Sequence, residues 1–553
     1  MSDRLLYLPL GGAGEIGMNC YVYGYGPAGR ERYIVVDLGV TFPSMDGSPG
    51  VDLIFADVSW LEERKERIDA IFITHAHEDH VGAVGHLWPR LGAPIYARTF
   101  TAHLARLKFE EHGHDELMIK TVSAWPQQVE CGPFKVGFLP VSHSIPESSA
   151  LVIDSPAGRV IHTGDFKIDE TPVVGEAFDR ALWESVCKDG VKALVCDSTN
   201  VFTDTPGRSE SEVVEPLTEL MKDLKGMVAA TTFASNIARV KSLAEAGTKA
   251  GRSVVLLGRA MRKMITAGIE TGIISDFPKT ISPEQAGDVP RENLLLLTTG
   301  SQGEYRAATA QLSRGKYLGL KMAEGDTVIF SSKTIPGNEM PVARILNNFS
   351  EMGVNCITGR NDIHVSGHAN RPDLTTMHEV VKPQIVIPMH GEHRHLREHA
   401  ALAETNGFKG VVAPNGVGID LTGDTPKVTE YVETGRTYLD GKVQIGAMDG
   451  VVRDRIRMAQ YGLVVATVIV EDDEPLGDCW CEVRGLPEIG LSRAPLVDVL
   501  EADINQFLNR AGKKTMRDDG KLEEDMRRIL RKTTNDETGK KPEIQIVISR
   551  LSA

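Results

Sequence analysis

Over the first 200 residues the chain alternates short apolar runs with Gly, Pro and charged turns. Ile34–Leu38, Ala70–Thr74, Arg159–Thr163 and Ala193–Cys196 are each too short for a helix and read as strands. Each runs directly into a loop bearing an acid or a histidine. From Ser209 to about Cys356 the pattern changes. Helical periodicity over Val213–Leu224 and Asn236–Ala250 alternates with the apolar runs Val254–Leu257, Leu294–Leu297 and Thr327–Phe330. That βα alternation predicts a parallel sheet. From Asn361 the histidine-rich loops return, and Gln384–Pro388 predicts a strand followed by a helical run through Ala403. The polar, Gly-punctuated stretch Asp424–Gly450 reads as a linker. Beyond it, a strand at Leu463–Val470, helices at Leu496–Arg510 and Lys521–Lys532 and a last strand at Glu543–Ser549 predict a small α/β module. Thr533–Pro542 reads as an ordinary polar loop. No internal repeat is visible.

The 553 residues exceed the usual single-domain size. No stretch approaches the roughly 18 apolar residues that span a bilayer, and Met1–Leu10 has neither a basic region nor a cleavable apolar segment. A cytoplasmic protein is the expectation. Seven cysteines are scattered, and the closest pair, Cys479 and Cys481, has no matching second pair. Reduced, structural thiols are therefore expected rather than a cysteine zinc site. The net charge of −15 excludes a generally basic, non-specific nucleic-acid binder. It leaves room for a locally positive, metal-containing cleft.

The densest chemistry lies in His75-Ala76-His77-Glu78-Asp79-His80. A strand enters it and an amphipathic helix (Val81, Val84, Leu87) leaves it. Three imidazoles and a carboxylate in six residues suit a borderline-soft cation such as Zn²⁺. Two further strand-end loops point to a second cation: His143 in Ser142-His143-Ser144, and Asp165 in His162-Thr163-Gly164-Asp165, where the carboxylate could bridge. His390, after the Gln384–Pro388 strand, completes the set. Gly12-x-Gly14-x-x-Gly17 matches a dinucleotide fingerprint, but β-like sequence follows it instead of a helix, so small turns near the metal cavity account for it better. His103, His112 and His114 lack strand-end context and read as surface residues.

His75-x-His77-x-Asp79-His80, His143, Asp165 and His390 resemble the metal-binding signature of the metallo-β-lactamase fold. Asp37, in Val36-Asp37-Leu38-Gly39, matches the fold motif that props the metal loop. The inserted βα region resembles the β-CASP branch, which acts on nucleic acids. Asp197 in Cys196-Asp197-Ser198-Thr199, His368 in His364-Val365-Ser366-Gly367-His368, and His390 match the three motifs of that branch. Histidine at the third is its RNA-type choice. Gly11–Asn19, Phe233-Ala234-Ser235-Asn236, Thr299–Glu304 and Ile335-Pro336-Gly337-Asn338-Glu339 are similar to motifs of the ribonuclease J family. The resemblance is specific to about Arg453 and looser beyond. It implies a metallo-β-lactamase αββα sandwich (residues 1–208 and 359–423), an inserted β-CASP α/β domain (209–358), a linker (424–450) and a small C-terminal α/β domain (451–553).

The same resemblance implies two Zn²⁺ per subunit, with Mn²⁺ as a substitute, held by His75, His77, Asp79, His80, His143, Asp165 and His390. Asp79 would also orient the nucleophile, while His368, paired with Asp197, would protonate the leaving oxygen. Phe233, Ala234 and Ser235 together with His364, Val365, Ser366, Gly367 and His368 would hold the RNA 5′ end. Small residues there let backbone N–H groups approach a phosphate, Gly367 foremost by its lack of a side chain, and Phe233 could stack on a base. The implied activity is 5′→3′ exonuclease action on 5′-monophosphorylated RNA with some endonuclease action, in rRNA maturation and mRNA decay. Implied partners are single-stranded RNA, further copies in a homodimer or homotetramer, and an RNA-degradation complex, with no membrane. The C-terminal module, which has no histidine, would support self-association. Two other classes stand against this reading: a DNA-processing or small-ester hydrolase on the same metal fold, and a non-catalytic RNA-binding scaffold. His390 and the inserted domain argue against the first, the complete ligand set against the second.

Overall fold

A computed structural model describes residues 3–335 and 337–551. Pro336 of the Ile335–Glu339 motif lies outside them. The chain divides into two units, one of residues 1–41 and 55–436, the other of residues 42–54 and 437–553.

The first unit holds three large sheets. The first is eight-stranded, in the order Lys427–Tyr431, Val417–Asp420, Asp3–Gly11, Cys20–Pro27, Arg32–Val36, Ile68–Phe72, Ile95–Ala97 and Ile119–Thr121. The second is seven-stranded, in the order Gln128–Cys131, Phe134–Pro140, Ser149–Ser155, Gly158–His162, Val191–Asp197, Pro383–Met389 and Lys409–Gly410. Strand alternation explains how they stack. Tyr7, Ile34, Val36 and Phe72 from one sheet meet Val136, Phe138, Leu151, Ile153, Ala193, Val195, Ile385 and Ile387 from the other in a shared core. The intervening residues of the second sheet, such as Val152, Ile161 and Leu194, face Trp183, Leu374 and Met377 on covering helices. Burial on both faces is why these strands read as continuous apolar runs.

Four strands of the second sheet run parallel, with His162 beside Val195, Val195 beside Ile387, Asp197 beside Met389, and Ile385 beside Lys409. In the first sheet Arg32–Val36 is likewise parallel to Ile68–Phe72. Parallel register brings the C-terminal ends of these strands together. The loops that follow carry Asp165, Asp197 and His390 on one sheet and Asp37 and His75 on the other.

The third sheet is the parallel one expected from the βα alternation. It has six strands, in the order Thr280–Ile281, Ser253–Leu257, Leu294–Thr298, Val228–Thr231, Thr327–Phe330 and Asn355–Ile357. The Gly12–Gly17 turn lies between the antiparallel strands Asp3–Gly11 and Cys20–Pro27 and opens no helix, so it is not a dinucleotide loop.

Two stretches differ from their sequence reading. Asp424–Gly450, read as a linker, contains the strands Lys427–Tyr431, Arg436–Asp440 and Val443–Gly446. The first is a mostly exposed edge strand, so no apolar alternation marks it. Thr533–Pro542, read as a loop, continues the Asp519–Thr538 helix to its Gly539 cap, which has φ 72°. Thr533 and Thr534 are buried against that unit's core, a polar face that hydrophobic periodicity does not register.

In the second unit, Leu463–Glu471 pairs with Trp480–Arg484 and with the parallel strand Glu543–Leu551. Val464, Ala466, Val468, Val470, Ile544 and Ile546 pack on Leu500, Ile504, Leu522, Met526 and Leu530 of two helices. The other sheet face leaves Ile469, Trp480 and Val547 exposed. All seven cysteines are unpaired thiols, six of them buried. No helix among the described residues is long and apolar enough to cross a membrane.

Candidate metal centre

The chain leaves the Ile68–Phe72 strand as an extended segment and turns at His77 into the short helix Glu78–Val81. Val81, Val84 and Leu87 anchor this region in the interior, which fixes the histidine loop against the sheet ends. His75, His80, Asp165 and His390 are at most 2% exposed and His143 is 7% exposed.

The side chains form two four-membered groups that share one carboxylate. His75, His77, His143 and Asp165 offer ligand atoms within 4.8 Å of one another, as do Asp79, His80, Asp165 and His390. In the first, His77 Nδ1 lies 3.1 Å from both His75 Nε2 and His143 Nε2. Three imidazole nitrogens thus converge where hydrogen bonding among themselves cannot satisfy them all. Their other faces are held: His75 Nδ1 is 3.0 Å from Thr74 Oγ1, and His143 Nδ1 is 2.5 Å from the Gly367 carbonyl.

The second group is fixed in the same way. His80 Nδ1 is 2.7 Å from Asp37 Oδ2, and Asp37 also accepts from the Thr74 N–H at 2.8 Å. That leaves His80 Nε2 facing Asp165 Oδ2 at 3.2 Å. His390 Nδ1 pairs with Asp165 Oδ1, and its Nε2 is 3.4 Å from Asp79 Oδ2. Outer partners that orient ligand imidazoles and set their tautomers are what a metal site requires. Gly12 serves this loop: its carbonyl accepts from the His390 N–H at 2.7 Å. A Cβ there would stand 2.2 Å from Asn19 Oδ1, at a φ of +84°.

The electrostatics suit a cation at this site. Burial, with His80 beside it, pushes His75 well below its ordinary pKa. Burial and His77 do the same to His143. Burial brings His77 down to about 4 despite Asp79 and Asp165. Neutral imidazoles are the ligand form. At His80 and His390 burial is outweighed by the carboxylates, Asp165 foremost, which push both upward. Asp165 is pulled well below its usual range, its burial outweighed by His390 and His80. A dication would take the place of those protons. Donor types, convergence and outer partners therefore all fit a divalent metal.

Asp197 and His368 form a pair beside these groups. His368 Nδ1 lies 2.8 Å from Asp197 Oδ2, while Asp197 Oδ1 accepts from the Thr199 N–H at 2.9 Å and its hydroxyl at 2.7 Å. Burial opposes charge on His368. Asp197, with Asp165 and Asp79 beyond it, outweighs burial and lifts its pKa to about 9. Asp165, Asp197 and His368 also stand close enough to form a third ligand group.

The two expected substrate segments are joined by a residue that the sequence did not single out. Phe233–Ser235 precede the Ile237–Lys249 helix, whose Arg239 is completely buried. Its guanidinium pairs with Glu210 at 2.5 and 2.9 Å, and reaches the Ser331 carbonyl at 2.8 Å, His364 Nδ1 at 3.0 Å and the Val365 carbonyl at 3.3 Å. Ala234, Val365 and Ala76 of the histidine loop pack in one apolar cluster. Asn200 was also unforeseen; it donates to Ser366 Oγ at 2.7 Å and so holds the loop before His368. Gly367 has a further part: its carbonyl orients His143, and a Cβ there would meet Ser144 at 2.9 Å. His103, His112 and His114 join none of the ligand groups.

Comparison with known proteins agrees with this geometry. Residues 13–195 match the metallo-beta-lactamase superfamily and 225–349 the ribonuclease J beta-CASP domain. Residues 353–414 match the RNA specificity domain of Zn-dependent metallo-hydrolases and 450–551 the ribonuclease J C-terminal domain. Ribonuclease J of Sinorhizobium meliloti is 39% identical over 99% of this chain and 98% of its own. Ribonuclease J 1 of Streptococcus pyogenes is 36% identical over 84% of this chain and 82% of its own. A crystal structure of a protein of unknown function from Enterococcus faecalis shares the fold, with a TM-score of 0.50 and 15% identity over 80% of this chain and all of that one. The chain belongs to the ribonuclease J family and is a metal-dependent nuclease acting on RNA.

Proposed function

We propose that the enzyme is a two-zinc ribonuclease that degrades 5′-monophosphorylated RNA from its 5′ end, with additional internal cleavage, in rRNA maturation and mRNA decay. The observation that carries the two-ion reading is the pair of four-ligand groups sharing Asp165. His75, His77, His143 and Asp165 would hold one ion, and Asp79, His80, Asp165 and His390 the other. Manganese would fit the same donors. Bound there, the ions would neutralise charge on the phosphoryl oxygens and supply an acidified water.

The chain's own groups do the rest. Asp79, the most exposed of the second group with its side chain 29% accessible, is placed to orient the attacking water. Both oxygens of Asp197 are engaged, which suits it to hold the His368 ring with Nε2 directed at the leaving oxygen. A protonated His368 then donates its proton there. The backbone N–H groups of Phe233, Ala234, Ser235, Val365, Ser366 and Gly367 have no partner among the described residues. Donors of this kind suit the oxygens of a terminal monophosphate. A triphosphate would bury extra charged oxygens without partners.

Self-association through the second unit, membership of an RNA-degradation complex and action in the cytoplasm belong to the same proposal. The test is elemental analysis of the purified protein, followed by digestion of matched RNAs with 5′-monophosphate and 5′-triphosphate ends and of a DNA control. Two zinc ions per chain and faster release of mononucleotides from the monophosphate are expected. Equal exonucleolytic rates on both ends would reject the 5′ pocket.

A further inference from the structure

The second unit holds a cavity of about 380 Å³ lined by Arg457, Tyr461, Arg531, Gly539 and Lys541. Arg457 and Tyr461 lie one turn apart on the Val451–Tyr461 helix and so share a face. Arg531 projects from the Asp519–Thr538 helix, and Gly539, in the left-handed region at φ 72°, turns the chain back to bring Lys541 to the rim. Arg457 pairs with Glu543 at 2.6 Å. The side chains of Arg531 and Lys541 have no hydrogen bond or ion pair among the described residues. Lys540 adds a fourth cation, bound to the Gln460 carbonyl at 3.1 Å and 6.0 Å from the Tyr461 ring centre.

Three cations, one of them paired, thus line a concavity, and Lys540 stands beside its Tyr461 wall, in a chain whose net charge is −15. Low-dielectric walls focus such a field and draw anions. Guanidinium forks match phosphate oxygens, and the Tyr461 ring, 41% exposed, offers a platform for a base. Binding cavities of this size hold a nucleotide-sized group. We propose that this cavity is a second RNA site, an anchor for one phosphodiester and its base in a strand engaged by the enzyme. The inference rests on the RNA substrate and not on the direction of cleavage.

The test uses the full chain, with Arg531→Glu/Lys541→Glu and Tyr461→Ala variants. Binding of a long 2′-O-methylated, uncleavable oligonucleotide is followed by fluorescence anisotropy across a salt series. The charge reversal should weaken binding. It should also flatten the slope of log affinity against log salt by about 0.7, the contribution of one single-strand phosphate contact. Tyr461→Ala should weaken binding without changing that slope. Turnover of a trinucleotide and metal content should stay at wild-type levels in both. Unchanged affinity and slope in the charge-reversed protein would overturn the proposal. So would 5′-AMP binding the wild type as tightly as the oligonucleotide and losing that binding in the variant, since the cavity would then hold a free nucleotide.

Discussion

Replacing Gly367 by valine separates a phosphate cradle from a support for the metal centre. A Cβ at this position would lie 2.9 Å from Ser144 Cβ and Oγ and 3.1 Å from His143 Cε1. Carbon atoms rest about 3.5–4.0 Å apart, so even alanine is too close by roughly 0.4–1 Å, and valine adds two methyl groups. Overpacking of this kind costs about 1–3 kcal/mol, and the loop must give way. Its carbonyl is the acceptor for His143 Nδ1 at 2.5 Å, so moving the loop releases the imidazole of a proposed ligand. Loss of such an outer partner lowers metal affinity or activity by about 10–100-fold. Metal retained after dialysis should therefore fall in Gly367→Val. Exonuclease and endonuclease activities should fall together, and both should recover in part with added metal. Alanine should lie between. Full metal content with a selective loss of exonuclease activity would refute this reasoning and return Gly367 to the phosphate.

Other outcomes follow from the same geometry. His368→Ala should keep its metal content yet lose most of its turnover on both activities; loss of metal in that variant would show His368 to be a ligand. Removing residues 451–553 should reduce oligomer size in light scattering while metal content persists, since the sheet face bearing Ile469, Trp480 and Val547 is exposed in one copy; an unchanged size refutes the role. Burial holds His378 neutral with its pKa at about 4, and burial with the nearby Arg239 brings His364 to about 3. Unfolding frees both to bind protons near pH 6.5. The unfolded chain then binds more protons below that value, so the contribution of these two histidines to metal-free stability should be full above about pH 6.5 and decline toward pH 4. A denaturant midpoint that stays constant over this range would contradict the assignment.

The candidate metal ligands that the fold brings together were legible because their evidence is local. Residue type, spacing and the end of an apolar run coincide at His75–His80, and the same conjunction recurs at His143, Asp165 and His390. The strands beneath them were legible for a related reason: strands buried on both faces announce themselves as runs such as Ala193–Cys196. What decides the substrate side is not local. Arg239 sits in a helix that also carries Lys241 and Lys249, and a charged residue there reads as solvated. Only the assembled sheet brings Glu210, Ser331, His364 and Val365 around its guanidinium. A buried cation stripped of its carboxylate leaves an uncompensated charge, at a cost of about 3–5 kcal/mol. That pair therefore holds the start of the Ile237–Lys249 helix and the His364–His368 loop to one another. Because the loop also carries the Gly367 carbonyl that orients His143 and the His368 ring that faces Asp197, the proposed substrate grip, proton donor and metal ligand depend on the same few residues. No single-residue change in this loop can be assigned to one of them from its position alone, and each variant needs metal content measured beside its rate.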